Sequence, residues 1–344
     1  MVCPIVPARA TRPIIQCVQL AVDQGRLMLR ATDLEVSAVV ETSELDVVRP
    51  GSVAVPARQL DSLTRELSGE LSLETNSKGH LELASGRDRF EILSLPQEDY
   101  PAVAEDIEES WLRISGESLA EMLHMTGFAM ATEPSRYALN GTLLEISGGE
   151  LHLVATDGKR LAHIHRPGLE VHKNEARAII PQRTARLLET MVAEVETVEL
   201  GMTRQQLVAR ALVPQQPCSS CSYRWVLASR LLEGEYPHYD QVIPQGHEAE
   251  AQITVEEFLA AVRRAKALNT QDVKSVRLDF DPEGVKLSSQ VREVGQTQVH
   301  CALPYSGAPL SIGFNADFLI QMLQALKSGQ TRLSLKNQDA PAVF

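Results

Sequence analysis

The feature that most constrains the fold is a β-hairpin pattern that occurs three times along the chain. Its second copy, residues 143–162, consists of two alternating strands around Gly148-Gly149, a pair that suits the positive backbone angles of a tight hairpin turn. Residues 18–33 repeat the pattern, including its Ala-Thr-Asp ending, and residues 276–289 repeat it without that ending. With a spacing of roughly 130 residues, the three copies predict three domains of one fold.

The length of the chain agrees with this repeat. At 344 residues, it exceeds what one hydrophobic core usually serves and suits two or three domains. Helical patterns accompany each hairpin, so each repeat combines helices with mostly antiparallel strands. We therefore predict an α+β fold of three repeated domains, with bounds at 1–107, 108–247 and 248–344.

Three of the predicted helices carry N-cap signals. Ser115 and Asn315 each precede a stripe of apolar residues at helical spacing. Thr254 and Glu257 have the Thr-x-x-Glu spacing of a capping box. These signals predict helices that begin directly after residues 115, 254 and 315.

Charge and composition exclude several classes of protein. The formal net charge of −12 argues against a chain that coats nucleic acid by general basicity, although one face can still hold a local basic surface. The N-terminus lacks the apolar segment of a signal peptide and no stretch resembles a membrane span, which predicts a cytoplasmic protein. No Gly-rich phosphate loop, nucleophile elbow or His-based metal motif occurs in the sequence, so we expect no cofactor.

A Cys-x-x-Cys pair, Cys218 and Cys221, has the spacing of half a zinc site. A structural zinc site needs four ligands, and His238 and Asp240 are the only further candidates at a suitable distance along the chain. The five cysteines are too few and too scattered for a disulfide framework. The pattern therefore favours a surface loop with two reduced thiols over a zinc site.

The repeated Thr-Asp pairs leave an enzymatic hypothesis open. Thr32-Asp33 and Thr156-Asp157 end the second strand of the first two hairpins, but the third hairpin lacks the pair. Capping of the turn after each strand by these side chains explains the pairs without catalysis. We therefore expect them to be structural.

A set of short stretches resembles the beta subunit family of bacterial DNA polymerase III, the sliding clamps. The stretches occur in the family's order and cover nearly the whole chain, and their order and spacing carry the resemblance rather than any single motif. They are residues 9–15, 29–35, 55–58, 85–90, 100–101, 136–141, 154–161, 234–237 and 305–307.

The resemblance implies a head-to-tail homodimer that forms a ring, with antiparallel sheets outside and helices lining a central hole around duplex DNA. Such a clamp is a non-catalytic processivity factor that contacts DNA without sequence specificity. It tethers the replicative polymerase, the clamp loader and repair polymerases through their short peptide motifs.

The resemblance further implies that the chain is truncated at both ends. It would lack the strand and most of the helix that usually open the first domain, and the last strand and tail of the third. A truncated or degenerate clamp that acts as a non-encircling binding module is therefore the alternative function.

The resemblance assigns residues to three surfaces, each of which has a simpler structural explanation. Groove residues can instead pack in a core, the arginines can instead be solvated, and the strand of Phe90 can instead lie within one sheet. The DNA-binding residues would be Arg9, Arg58, Arg136, Tyr137 and Arg183. The partner-peptide groove would contain Leu139, Thr156, Gly158, Lys159, Arg160, Leu161, Pro237, Val242, Val273, Asn315, Phe318 and Pro341. The dimer interface would join Phe90 and Ile92 of one copy to Ala267 and Leu268 of the other.

Overall fold

A computed structural model of the chain describes residues 2–43, 45–103, 112–133, 137–168, 170–171, 175–193, 195–214 and 222–344. The chain divides into two compact units. The first comprises Met1–Leu123, Glu133–Leu153 and His165–Gly234, and the second comprises His124–Thr132, Val154–Ile164 and Glu235–Phe344. Within the described ranges, every helix is too short or too polar to cross a membrane.

Strands and helices follow one another in a similar order in the three predicted repeats, with one α-helix in the first and two in each of the others among the described residues. The first repeat contains β1 Cys17–Asp23, β2 Arg26–Thr32, β3 Val36–Thr42, β4 Gly51–Pro56, α1 Ala57–Glu66, β5 Ser72–Thr75, β6 Leu81–Ser85 and β7 Asp88–Ile92. The second contains β8 Leu112–Ser115, α2 Gly116–Gly127, β9 Gly141–Ser147, β10 Glu150–Thr156, β11 Leu161–Arg166, β12 Glu170–Val171, β13 Glu175–Pro181, α3 Gln182–Val192, β14 Thr197–Met202, β15 Gln206–Pro214 and β16 Ser222–Arg230. The third contains β17 Ala249–Thr254, α4 Val255–Ala265, β18 Ser275–Asp281, β19 Gly284–Val291, β20 Gly295–Cys301, β21 Tyr305–Ser306, β22 Leu310–Asn315, α5 Ala316–Leu326 and β23 Gln330–Leu335. Short 3-10 helices lie at Cys3–Ile5, Pro13–Gln16, Gln97–Asp99, Tyr137–Leu139 and Tyr239–Val242.

The strands form five sheets among the described residues. The largest runs β12-β8-β14-β15-β16-β3-β2-β1-β4, and the others run β11-β10-β9-β13, β5-β6-β7, β21-β17-β23 and β20-β19-β18-β22. Neighbours such as β1 and β2, or β18 and β19, pair antiparallel. The predicted α+β class with antiparallel sheets is therefore confirmed.

All three predicted hairpins form. They are β1-β2, β9-β10 and β18-β19, each with a glycine of positive φ in its turn: Gly25 at +78°, Gly149 at +83° and Gly284 at +137°. Glycine is suited to these positions because it has no Cβ to clash with the backbone. The internal repeat read from the sequence is thus a repeat of structure.

The third repeat has a well-defined core. Phe258 and Val262 of α4 pack with Leu319 and Leu323 of α5 against the inner face of β18 and β19, and all four side chains are at most 4% exposed. The apolar residues of both helices recur at three- and four-residue spacing, which places them on one face. At the end of the chain, Val343 exchanges two backbone hydrogen bonds with Ser334 of β23.

The predicted helix starts are found, and one capping detail differs. The Ser115 hydroxyl accepts the Ser118 backbone N–H at 3.1 Å, and the Asn315 side chain accepts the Asp317 N–H at 2.9 Å. Thr254 is the N-cap residue of α4, but its side chain makes no capping hydrogen bond. The capping-box prediction is therefore wrong in its hydrogen bond and right in its position.

Some predictions concern residues outside the described ranges. The boundary near residue 107 and both members of the Cys218–Cys221 pair lie there, so the domain bounds and the thiol loop stay predictions.

Candidate partner-binding groove and DNA-binding surface

The two Thr-Asp pairs build the same hydrogen-bonded turn, which we call the Thr-Asp turn (32–36 in the first repeat and 156–160 in the second). In the second repeat, the Thr156 hydroxyl accepts the Gly158 N–H at 3.0 Å and donates to the Arg160 carbonyl at 2.6 Å. One oxygen of Asp157 accepts the N–H groups of Lys159 and Arg160 at 2.9 and 3.1 Å. These side chains satisfy backbone groups that the end of a strand leaves unpaired.

The first repeat reproduces this network bond for bond. The Thr32 hydroxyl accepts the Leu34 N–H and donates to the Val36 carbonyl, both at 3.0 Å. One oxygen of Asp33 accepts the N–H groups of Glu35 and Val36 at 2.9 and 2.7 Å. Both Thr-Asp pairs therefore have the structural role that we expected.

The second Thr-Asp turn positions Arg160 against two aromatic rings. The guanidinium carbon of Arg160 lies 4.2 Å from the ring centroid of Phe318 on α5 and 5.4 Å from that of Phe128, which follows α2. The second oxygen of Asp157 accepts Arg160 Nε at 3.1 Å and fixes the orientation of the guanidinium. All four residues belong to the second unit. We call Arg160, Phe128 and Phe318 the aromatic-arginine cluster.

The cluster leaves a hydrogen-bond donor unused. Arg160 Nη1 is buried and has no hydrogen-bond partner among the described residues. Burial lowers the pKa of Arg160, and the neighbouring charge of Asp157 opposes that shift. A buried guanidinium with an unpaired N–H is costly by itself, so an incoming acceptor such as a peptide carbonyl would bind favourably there.

The remaining predicted groove residues vary in exposure. Thr156 is buried within its turn, Leu161 is half-buried at the start of β11, and Val242 is 59% exposed. Leu139 lies in the first unit, half-buried in the 3-10 helix Tyr137–Leu139. The other predicted members of the second unit are exposed or half-buried, and their place in a groove stays a prediction: Gly158, Lys159, Pro237, Val273, Asn315 and Pro341.

The predicted DNA-binding arginines differ in their exposure and in their contacts with other residues. Arg9 and Arg58 are exposed, and Arg58 is the second residue of α1. Arg183, the second residue of α3, forms an ion pair with Asp33 and donates from Nη2 to the Ile5 carbonyl at 2.6 Å. Arg136 lies outside the described residues, and Tyr137 begins a short 3-10 helix.

The predicted interface residues lie at an edge strand and beside one. β7, which carries Phe90 and Ile92, is an edge strand of its three-stranded sheet. Ile92 is 5% exposed within its own subunit, whereas Phe90 is half-buried. Ala267 is exposed and Leu268 is half-buried in the segment after α4. Leu268 lies close to Gly295, at the start of the edge strand β20: a Cβ added to this glycine would lie 3.2 Å from Leu268 Cδ1.

Sequence reasoning missed two of the residues that surround Arg160, namely Phe128 and Asp157. Phe128 follows the end of α2 with no motif that marks it, and Asp157 was interpreted as a turn residue alone. An arginine three residues after a turn aspartate is a weak signal for Asp157, because the second carboxylate oxygen of the aspartate remains available to it. Among the described residues, no group of three or more His, Cys, Asp or Glu side chains is arranged to hold a metal ion.

Comparison with known proteins identifies the family. Models of the N-terminal, central and C-terminal domains of the DNA polymerase III beta subunit match residues 1–104, 113–238 and 240–344 in that order. The beta sliding clamp of Pseudomonas aeruginosa is 29% identical over 344 residues, which is 100% of this chain and 91% of the relative. The beta sliding clamp of Caulobacter vibrioides is 29% identical over 98% of this chain and 90% of its own length.

Solved structures give the same result. The crystal structure of the Pseudomonas aeruginosa subunit matches with a TM-score of 0.88 at 27% identity, over 99% of this chain and 90% of that one. A sliding clamp from Bartonella birtlesii, bound to griselimycin, matches with a TM-score of 0.89 at 27% identity and the same coverage. With all three domains matched in order along nearly its whole length, the chain belongs to the beta subunit family of DNA polymerase III, the beta sliding clamps.

Proposed function

We propose that two copies of this chain close head to tail into a ring around duplex DNA and tether a replicative polymerase to it. As a family member, the chain is a DNA sliding clamp, a non-catalytic processivity factor. The observation that carries the proposal is the ordered presence of all three clamp domains. A closed ring cannot leave DNA sideways, so weak contacts that ignore base sequence suffice and permit sliding.

The same observation weighs against the alternative of a non-encircling binding module. A module that kept the groove alone would not need the first domain, yet the N-terminal domain model matches residues 1–104. All three repeats retain their hairpins, and the first two retain their Thr-Asp turns, which also argues against degeneration of the first domain.

The peptide groove of the proposed clamp would include the aromatic-arginine cluster. Phe318 and Phe128 supply apolar surface, and the unused N–H of Arg160 supplies a donor for a backbone carbonyl. A short extended peptide presents both an apolar side chain and free carbonyls, so this chemistry suits it. Griselimycin, which is bound in the solved clamps of Pseudomonas aeruginosa and Bartonella birtlesii, is the probe that we propose for this groove.

The proposed dimer would use the edge strand β7. An unpaired edge strand with an apolar side chain is prone to aggregate unless a partner strand covers it. Phe90, half-buried on this edge, is the side chain that a partner would cover. Sedimentation velocity tests this: Phe90→Arg should convert a dimer to a monomer, while Val48→Arg, at a position 91% exposed, should leave the dimer intact. A Phe90→Arg protein that stays dimeric would exclude this edge.

Retention on DNA tests encirclement. The protein is loaded by a clamp loader onto a nicked circular plasmid, isolated by gel filtration, and followed after a restriction enzyme linearises half of the sample. A closed ring stays on the circle and slides off the linear ends. Equal loss from both forms, by a protein that sediments as a monomer, would support the non-encircling alternative instead.

A further inference from the structure

Helix α3 has a row of polar residues on its solvent-exposed face. Arg183, Arg186 and Thr190 are its exposed residues, separated by three and four positions, so they lie along one face. The opposite face is buried and consists of Thr184, Ala185, Leu188, Met191 and Val192. Two arginines therefore share one exposed helix face.

The first of these arginines is already occupied. Arg183 donates to the carboxylate of Asp33, whose side chain is 8% exposed, and to the Ile5 carbonyl. Asp33 is at the same time the capping residue of the first Thr-Asp turn. Arg183 thus connects α3 to the turn after β2, and the carboxylate of Asp33 already offsets its charge, which weakens its attraction for a phosphate.

The second arginine has no such task. The Arg186 side chain is exposed and forms no ion pair or hydrogen bond among the described residues. It is the fifth residue of α3, one turn beyond Arg183. Arg58 of α1 is likewise exposed and unpaired within the described part of the chain.

We propose that Arg186, rather than Arg183, makes the phosphate contact of α3, in parallel with Arg58 of α1. The proposal rests on the proposed function, because the exposed face of α3 meets DNA only if the ring encloses a duplex. An unpaired guanidinium can donate two N–H groups to one phosphate and releases a condensed counterion when it does so. The contact carries no sequence information, as sliding requires.

Salt titration of DNA binding tests this assignment. Arg186→Gln and Arg183→Gln are compared with the wild type and with Arg204→Gln, a matched loss of one charge in the turn between β14 and β15 of the same repeat. The affinity for a duplex is measured by fluorescence anisotropy over a range of KCl concentrations. Arg186→Gln should reduce the slope of log K against log[salt] by about one for each protomer in contact. Arg204→Gln should keep the wild-type slope.

The Arg183→Gln variant distinguishes a structural role of Arg183 from a role as a phosphate ligand. We expect Arg183→Gln to keep the wild-type slope of log K against log[salt]. It should lower the midpoint of thermal unfolding, because Asp33 loses its ion-pair partner. A reduced slope in Arg183→Gln together with a wild-type slope in Arg186→Gln would overturn the assignment. Encirclement is scored separately: a wild type that leaves circular and linear DNA equally would overturn the proposed function and this contact with it. A retained ring whose Arg186→Gln slope is unchanged would overturn the contact alone.

Discussion

Leu34 and Gly158 have the same left-handed backbone conformation, with φ of +80° and +82°, at matching positions of the two Thr-Asp turns. Glycine adopts this conformation without steric cost, whereas a residue with a Cβ loses roughly 1–2 kcal/mol there. The hydrogen bonds of Thr32 and Asp33 hold Leu34 in it. The first turn therefore stores strain that the second turn lacks.

Replacing Leu34 by glycine should release this strain. Leu34 is 48% exposed, so little packing is lost, and the greater freedom of glycine in the unfolded chain offsets part of the gain. We expect Leu34→Gly to raise the free energy of unfolding by up to about 1 kcal/mol, measured by urea denaturation. A loss of stability would show that the Leu34 side chain contributes contacts that outweigh the strain.

Two tyrosines at matching positions tie down the strands that lead into the Thr-Asp turns. The Tyr100 hydroxyl donates to the Arg30 carbonyl at 2.8 Å, and the Tyr236 hydroxyl donates to the Val154 carbonyl at 3.2 Å. Burial raises the pKa of both phenols, which keeps them protonated donors. Tyr100→Phe and Tyr236→Phe should each lower the free energy of unfolding by about 1–2 kcal/mol, because each leaves a strand carbonyl without this donor.

Tyr305→Phe provides the matched control for this pair. The Tyr305 hydroxyl donates to the Ala308 carbonyl at 2.6 Å in an exposed position, where water replaces the lost bond. Hydrogen exchange, which reports the repeats separately, should therefore show a change below about 0.5 kcal/mol for Tyr305→Phe. Equal losses in all three variants would contradict a special role for the repeated tyrosines.

The stability of the first repeat should fall in alkali because of Cys17. This thiol is 1% exposed, and burial raises its pKa from an ordinary 9.0 to about 11. The folded chain thus keeps a proton that the unfolded chain loses between these values, so the stabilisation is complete below pH 9 and disappears as the pH rises toward 11. Proton linkage then predicts that the free energy of unfolding decreases by about 2–3 kcal/mol over this pH range.

Denaturation at several pH values isolates this contribution. Between pH 9 and 11, the free energy of unfolding should decline less in Cys17→Ala than in the wild type. The difference between the two declines should be about 2–3 kcal/mol. The tyrosines other than Tyr100 titrate in both proteins, so their effect cancels in the comparison. Besides burial, Cys17 also raises the pKa of Tyr100, and that contribution is counted with Cys17. Parallel declines would mean that Cys17 ionises in the folded protein as readily as in the unfolded chain.

The sequence predicted local structure better than long-range contacts. Hairpin turns at Gly25 and Gly149 and the cap at Asn315 depend on residues a few positions apart, so their chemistry is visible in the chain. Leu34 was not predicted to take a positive φ, because leucine has no intrinsic preference for it.

The ion pair of Arg183 with Asp33 and the stacking of Arg160 on Phe318 were equally invisible to pattern analysis. Each joins residues 150 or more positions apart, and it is tertiary structure that brings them together. The residue types at these positions were identified through the family resemblance, but their partners were not. That difference explains why Arg183 was predicted as a phosphate ligand and is found in an ion pair.

The aromatic-arginine cluster should determine ligand affinity in the proposed groove. Phe318→Ala removes the ring beneath the Arg160 guanidinium and, with it, apolar surface that a ligand would cover. The Phe318 side chain is half-buried and lies outside the central core of the third repeat, so its loss should affect folding little. We expect a loss of about 1–3 kcal/mol in binding, or roughly 5- to 150-fold in the Kd for griselimycin measured by calorimetry. Arg160→Lys keeps the charge but loses the planar stack, so its effect should be smaller and in the same direction. Phe314→Leu, a change within the core of that repeat, serves as the control for altered folding and should leave the Kd unchanged. A Kd that is the same in Phe318→Ala and the wild type would remove the cluster from the binding site.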